Sequence, residues 1–273
     1  MHPLLFHIGS LAIPTYGVLT AAALLAALGL CVERARRAGL PGDKVWNLGL
    51  IAILAALFGS RLLLVASNLH VFAQHPFWVL GLATVHGGWI AAGGTAIGAV
   101  AAVLYALAEG LPLLRIADAA APAAALGFAV SRIGAFCAGL GWGTPTTLPW
   151  GVTYRSAVAW LWYRTPLGTR LHPVQLYDAV VSFAILVLLL GMGRSEMARR
   201  AGEIAGAWLF LYGISHFFLE FLRGDAVREP AFGGLFTMAQ GLAVLAVILG
   251  GALWLRRPTD PLRAGVRQHF PEV

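Results

Sequence analysis

The sequence predicts an all-α protein: a bundle of seven membrane-spanning helices with its N-terminus outside and its C-terminus in the cytoplasm. Three observations carry this reading. Of 273 residues, 59% are hydrophobic and 11% charged, with a mean hydropathy of +0.78. A soluble domain is nearer half apolar and a quarter charged, so most of this surface must face something other than water. Seven stretches have the length, about 20 residues at 1.5 Å each, that crosses a hydrocarbon core. The basic residues are also divided unequally between the segments that join those stretches.

In chain order, Met1 to Pro14 is a short amphiphilic stretch, expected to lie along one membrane face. Met1 to Leu11 carries no Lys or Arg, so it does not read as a cleavable signal. Spans are expected over 15–33, 45–66, 86–108, 116–138, 173–192, 203–222 and 236–255. Arg34, Arg36, Arg37, Lys44, Arg115, Arg194, Arg199, Arg200, Arg256, Arg257, Arg263 and Arg267 fall on one side, twelve residues in all. Only Arg155, Arg164, Arg170, Arg223 and Arg228 fall on the other. Cytoplasmic connectors carry the excess of Lys and Arg, which fixes the orientation. The expected division is a transmembrane domain, 1–256, with a long external loop at 139–172, and a cytoplasmic tail, 257–273. The expected location is a bacterial inner membrane, crossed several times.

The net charge of +7 and the pI of about 10.1 would suit nucleic acid in a soluble protein. Here the basic residues orient helices and meet anionic headgroups, so no nucleic-acid partner is expected. The two cysteines, Cys31 and Cys137, lack a CxxC spacing or a His-rich neighbourhood. Neither a disulfide framework nor a metal site is expected from them.

Charges inside spans are costly and usually mark function. Arg61 and Arg132 each fall roughly 24 Å along their spans, both measured toward the outer face. Arg223 ends the sixth span on that face. His86, His172 and Tyr16 open spans three, five and one there. Three cations and two imidazoles thus share one level, whereas arginines that merely anchor helices would favour both ends. Arginine stays charged and grips phosphate with two parallel hydrogen bonds. The shared level therefore points to a phosphate headgroup. His86-Gly87-Gly88 opens a helix whose free amides favour an anion. His172, Gln175 and Asp178 follow one another at steps of three, and His216, Glu220 and Arg223 lie on one stripe, so Glu220 can orient Arg223.

These pieces, in this order, resemble the prolipoprotein diacylglyceryl transferase family. The resemblance runs through FHIGSLAIPTYG at 6–17, Gly59-Ser60-Arg61 with Asn68, His86-Gly87-Gly88, and Ser131-Arg132-Ile133-Gly134 through Gly139 to Trp142-Gly143. It continues in His172 to Asp178 (HPVQLYD), Glu220 to Arg223 (EFLR) and Thr237 to Gln240 (TMAQ). Each piece alone is weak; the series spans nearly the whole chain. Within the signature this chain has Ala135, Ala138 and Leu140 where the family usually has two asparagines and a glutamate.

The resemblance implies an enzyme that moves the diacylglyceryl group of phosphatidylglycerol onto the lipobox cysteine of a prolipoprotein signal peptide, with glycerol phosphate leaving and no cofactor. It implies His86, Arg132 and Arg223 as catalytic residues. Tyr16, Arg61, Asn68, Gly87, Gly88, Gly134, Gly139, His172, Gln175, Tyr177, Glu220 and Gln240 are then expected around the substrates. The residues themselves leave a second reading open. A divergent paralogue would act on another thiol or another acceptor, whereas a protein that binds anionic phospholipid without turning it over would keep the arginines and have no use for a base at His86.

Overall fold

The computed structural model describes residues 2–8, 11–74, 88–192, 200–225, 230–231 and 235–256. In chain order, β1 (Leu4–Ile8) and β2 (Leu11–Pro14) form an antiparallel hairpin with Phe6 opposite Ile13 and Ile8 opposite Leu11. α1 (Thr15–Arg37), α2 (Gly42–Ser67), the short α3 (Leu69–Gln74), α4 (Gly88–Ala108) and α5 (Leu113–Ala138) follow. The next connector holds β3 (Val152–Thr153), α6 (Ala157–Tyr163) and β4 (Arg170–Leu171), with β3 and β4 antiparallel. α7 (Val174–Met192) and α8 (Glu203–Leu219) come next, α8 running into a 3-10 turn at Glu220–Leu222. A two-residue ribbon, β5 (Pro230–Ala231) with β6 (Phe236–Thr237), leads into α9 (Met238–Leu255).

Seven of these helices are long and apolar enough to cross a membrane, and they correspond one for one with the seven expected spans. The chain is mostly helical, with short ribbons at the helix ends that an all-α description leaves out. The N-terminal stretch is a strand hairpin. Several helices also run further than apolar length alone suggests. α1 continues through Arg34, Arg36 and Arg37, which sit in its last turn, where cations complement the C-terminal carbonyls. α2 and α5 each start three residues before the expected boundary. Arg61 and Arg132 therefore both lie nineteen residues past a helix start, about 28 Å along at 1.5 Å per residue.

The surface is apolar where a soluble protein would be polar: Phe58 is 74% exposed, Val180 69% and Ile248 61%. Apolar area on this scale marks a surface that meets lipid. Packing divides the bundle into two parts. α1, α7 and α8 surround α5, and α9 packs on α8. α2 and α4 pair closely with each other. A Cβ on Gly94 would stand 2.7 Å from the Ala56 carbonyl oxygen and one on Gly98 2.6 Å from that of Ala52, so only glycine permits this approach. The α2–α4 pair joins the rest at one end, through a core of Leu28, Val32, Val45, Leu48, Ala106, Leu111 and Ile116. A second core, Ala121, Ala125, Ile185, Leu186, Leu189 and Ile204, holds α5, α7 and α8 together. Beside it Asp118 accepts from Gly202 N at 2.7 Å and Ala205 N at 2.9 Å, capping the start of α8 from within α5.

Candidate active site

Arg132 lies six residues before the end of α5, and Asp178 is the fifth residue of α7. The two helices pack together, which brings Arg132 Nε to 2.7 Å from Asp178 Oδ2. The contact is an ion pair rather than an aligned hydrogen bond, since Arg132 Nε finds no acceptor at hydrogen-bonding angles. Asp178 is buried, and Ser182, one turn on, donates to its Oδ1 at 3.3 Å. Arg132 also lies within the electrostatic reach of the Tyr212 hydroxyl on α8 and of Tyr16 in the first turn of α1. Tyr212 sits in an aromatic stack, with ring centroids 4.8 Å from Phe128, 5.6 Å from Trp208 and 5.3 Å from His216. Its position is thereby set by packing, and through it that of Arg132.

Arg223 follows the 3-10 turn that ends α8. Its Nε and Nη2 donate to Asp225 Oδ1 and Oδ2 at 3.1 and 2.8 Å, a two-pronged grip, and its Nη1 donates to Glu220 Oε2 at 3.1 Å. Glu220, 1% exposed, accepts at its other oxygen from Thr237 Oγ1, 3.1 Å away. Thr237 caps α9 in a reciprocal box with Gln240: Gln240 N donates to Thr237 Oγ1 at 3.2 Å and Thr237 N to Gln240 Oε1 at 3.0 Å. Burial works against the Arg223 charge. The bonds to Asp225 and the field of Glu220 outweigh it and hold the guanidinium above its usual range, against repulsion from Arg132. That repulsion places the two guanidinium groups in one electrostatic neighbourhood, with Tyr212 and His216 feeling both. His216 Nδ1 is buried among these charges without a partner among the described residues.

Backbone pairing joins segments far apart in sequence at this end of the bundle. Gly139, left-handed at φ 86°, closes α5 and turns the chain outward. The strand that follows pairs on both sides. Thr144 N donates to the Leu222 carbonyl at 2.8 Å and Gly224 N to that of Trp142 at 3.0 Å, while His172 N donates to Thr144 O at 3.0 Å and Thr146 N to Arg170 O at 2.9 Å. Gly143 is directly opposite Arg223, and a Cβ there would run into the His172 carbonyl. Gln175 Nε2 donates to the Leu140 carbonyl at 2.9 Å and to Tyr154 Oη at 3.1 Å, fixing the same strand from α7.

A family model for the prolipoprotein diacylglyceryl transferases matches residues 3–256. The chain belongs to this family. Its curated relatives include the phosphatidylglycerol--prolipoprotein diacylglyceryl transferase of Clostridium tetani, 29% identical over 90% of this chain and 98% of that one. Those of Geobacillus kaustophilus and Geobacter sulfurreducens, of the same name, are each 31% identical and cover 92% and 95% of this chain and 90% and 97% of their own lengths. The protein is accordingly a transferase of lipoprotein biosynthesis and a multi-pass membrane protein.

Of the residues that the family resemblance singled out, the structure gathers Arg132, Arg223, Glu220, Gln240 and Tyr16 at one end of the bundle, together with the signature strand. Gly134 lies where α1 crosses α5, and a Cβ there would stand 2.9 Å from Leu19 Cβ and 3.6 Å from Tyr16 Cδ2. His172 Nδ1 is 3.4 Å from the Tyr177 hydroxyl, which accepts from Trp150 Nε1 at 2.8 Å. Arg61 stands over the Phe72 ring, 5.8 Å from its centroid, and Asn68 ends α2 with its Nδ2 donating to Leu64 O at 3.0 Å. Both belong to the α2–α4 part of the bundle. His86 and Gly87 lie outside the described residues, and Gly88 opens α4. Ala135 and Ala138, at the signature's asparagine positions, are buried at the end of α5. Sequence reasoning did not assign Tyr212 or Asp225 and placed Asp178 only as a neighbour of Gln175. The i, i+4 step from Tyr212 to His216 was the available signal for the first.

Proposed function

We propose that this chain transfers the diacylglyceryl group of phosphatidylglycerol to the thiol of a lipobox cysteine in a prolipoprotein signal peptide. The reaction takes place at the outer face of a bacterial inner membrane, with the site end of the bundle and the 139–172 loop outside and the tail 257–273 in the cytoplasm. The uneven distribution of basic connectors supports this orientation. The observation that carries the reading is the convergence of Arg132 and Arg223, from separate helices, in a family whose relatives are named for a phospholipid donor.

In this reaction the thiol sulfur forms a bond to the phosphate-bearing carbon of the diacylated glycerol. The carbon–oxygen bond breaks and glycerol phosphate leaves with the electron pair. Two guanidinium groups beside the phosphate stabilise the charge that grows on the leaving oxygen, the largest single contribution in reactions of this kind. Arg132, with one carboxylate against its Nε, is the phosphate ligand; Arg223 adds charge from a position fixed by Asp225 and Glu220. A thiolate is the competent nucleophile, and His86 takes the thiol proton. Tyr16, Arg61, Asn68, Gly87 and Gly88 bound the headgroup space. His172, Gln175, Tyr177, Gln240, Gly134 and Gly139 hold the walls.

The test is transfer from labelled phosphatidylglycerol to a lipobox peptide by the purified protein in lipid discs. Arg132→Ala and His86→Ala are each expected to abolish product while phosphatidylglycerol still binds to His86→Ala. Transfer by Arg132→Ala at the wild-type rate would refute the assignment.

A further inference from the structure

Between Gly139 and Pro173 the chain contains no Asp or Glu and three arginines, Arg155, Arg164 and Arg170, all exposed. Within this segment α6 has two unlike faces. Ala159 and Tyr163 are buried, and the Thr165 hydroxyl ties them to the end of α5 by bridging the Gly139 and Ala159 carbonyls at 2.8 and 3.1 Å. On the opposite face Trp160 and Leu161 are 49% and 59% exposed, with the Arg164 guanidinium over the Trp160 ring at 5.1 Å. Trp150 is exposed as well.

The height of this face follows from its neighbours. Tyr163 lies in the field of Tyr16, in the first turn of α1, and Gly139 is the residue that closes α5. α6 is therefore level with the ends of two spanning helices, where hydrocarbon gives way to headgroups. Tryptophan and tyrosine concentrate at this level, and arginine extends from it toward phosphate. The sign of the charge chooses the occupant: three arginines with no carboxylate in the segment complement anionic phospholipid.

We infer that α6 is an interfacial foot. Its Trp160–Leu161 face is set into the headgroup layer at this end of the bundle, and Arg155 and Arg164 engage the phosphates of anionic lipid there. The inference goes beyond the transfer reaction: it rests on the seven helices crossing a bilayer and holds whether or not the protein turns lipid over. Its consequence for the site is a local excess of anionic phospholipid beside Tyr16 and Arg132.

The experiment uses the full chain in lipid discs, one set of phosphatidylcholine alone and one containing phosphatidylglycerol. A nitroxide on Leu161→Cys, in a Cys31→Ala, Cys137→Ala background, is compared with one on Leu245→Cys, a lipid-facing position in α9. The expected result at position 161 is an oxygen-to-nickel accessibility ratio several-fold that of the label in water. The label is also expected to be less mobile in discs with phosphatidylglycerol, a difference that Arg155→Gln with Arg164→Gln removes. Water-like accessibility in both discs, or shielding that appears only when a lipobox peptide is added, would overturn the inference. A second measurement needs no cysteine changes. Lipid brominated near the headgroup should quench the wild type by a larger fraction than Trp160→Phe, and equal fractions would count against the foot.

Discussion

Asp178→Asn tests the core of the site, because it removes one charge and almost no volume. Two unit charges 2.7 Å apart attract by about 6 kcal/mol at an effective dielectric of 20, and desolvation of both ions offsets most of that. What the substitution exposes is the other side of the balance. Arg132 is left without its counter-ion while Arg223 still repels it. Stranding a buried charge costs about 3–5 kcal/mol. The Arg132 side chain keeps 27% of its exposure, so the lower end, about 3 kcal/mol, applies. The guanidinium reorients to recover solvent and leaves the phosphate position. A loss of that size in the transition state corresponds to about a 10²-fold fall in kcat/KM. The assay is peptide diacylglyceryl transfer at varied phosphatidylglycerol content, in wild-type and Arg132→Gln backgrounds. If Asp178 acts through Arg132, Asp178→Asn changes little once Arg132 is gone. Equal factors in both backgrounds would refute the reasoning, as would a wild-type rate for the single variant.

Three further outcomes are expected. Gly143→Ala puts a Cβ into the His172 carbonyl and 2.7 Å from Val174 Cγ2, which forces the signature strand off Arg223; overpacking of this kind costs about 1–3 kcal/mol, and transfer should fall at least about 10-fold with helix content by circular dichroism unchanged. Asp118→Ala removes the cap of α8 at the far end of the bundle, so thermal stability should drop by about 1–2 kcal/mol while the transfer rate at low temperature stays at the wild-type value. Burial pushes the Tyr154 hydroxyl from 10.0 up to about 12, as it does Tyr163, and both lie outside the spans. An acid whose folded-state value is raised stabilises the fold fully below pH 10, and that stabilisation is lost as pH rises toward 12. Alkaline melting of Tyr154→Phe should therefore fall less steeply over that interval than melting of the wild type.

The seven spans were legible because a run of about twenty apolar residues matches the thickness of a hydrocarbon core and is far longer than the buried stripe of a soluble helix. The level shared by Arg61 and Arg132 was legible too, since both are counted from helix starts by one rise per residue. The partners of the arginines were only partly so. Glu220 and Arg223 sit one turn apart on a single helix end, and that contact was expected. Asp178 reaches Arg132 only through the crossing of α5 and α7, which no periodicity encodes. Asp225 read as part of an ordinary turn, because two residues after a helix end the backbone direction is set by tertiary pairing. The paired segments at 142–146, 170–172 and 222–224 run three to five residues and meet through isolated bridges, too little to show a period of two. The extra turns on α1 and α2 also escaped, because hydropathy marks the hydrocarbon core and not the helix that continues beyond it.

The pairing of residue 143 with residue 223, and of Glu220 with Thr237, has a consequence for biogenesis. Arg132 is synthesised when the fourth helix emerges, but Asp178 follows a helix later, Arg223 after a sixth, and the hydroxyl that fixes Glu220 only with the seventh. A nascent chain halted just before α9 has both arginines and their carboxylates but lacks the hydroxyl that fixes Glu220. The contact that holds Glu220 from behind thus arrives last, when Thr237 and α9 join the bundle.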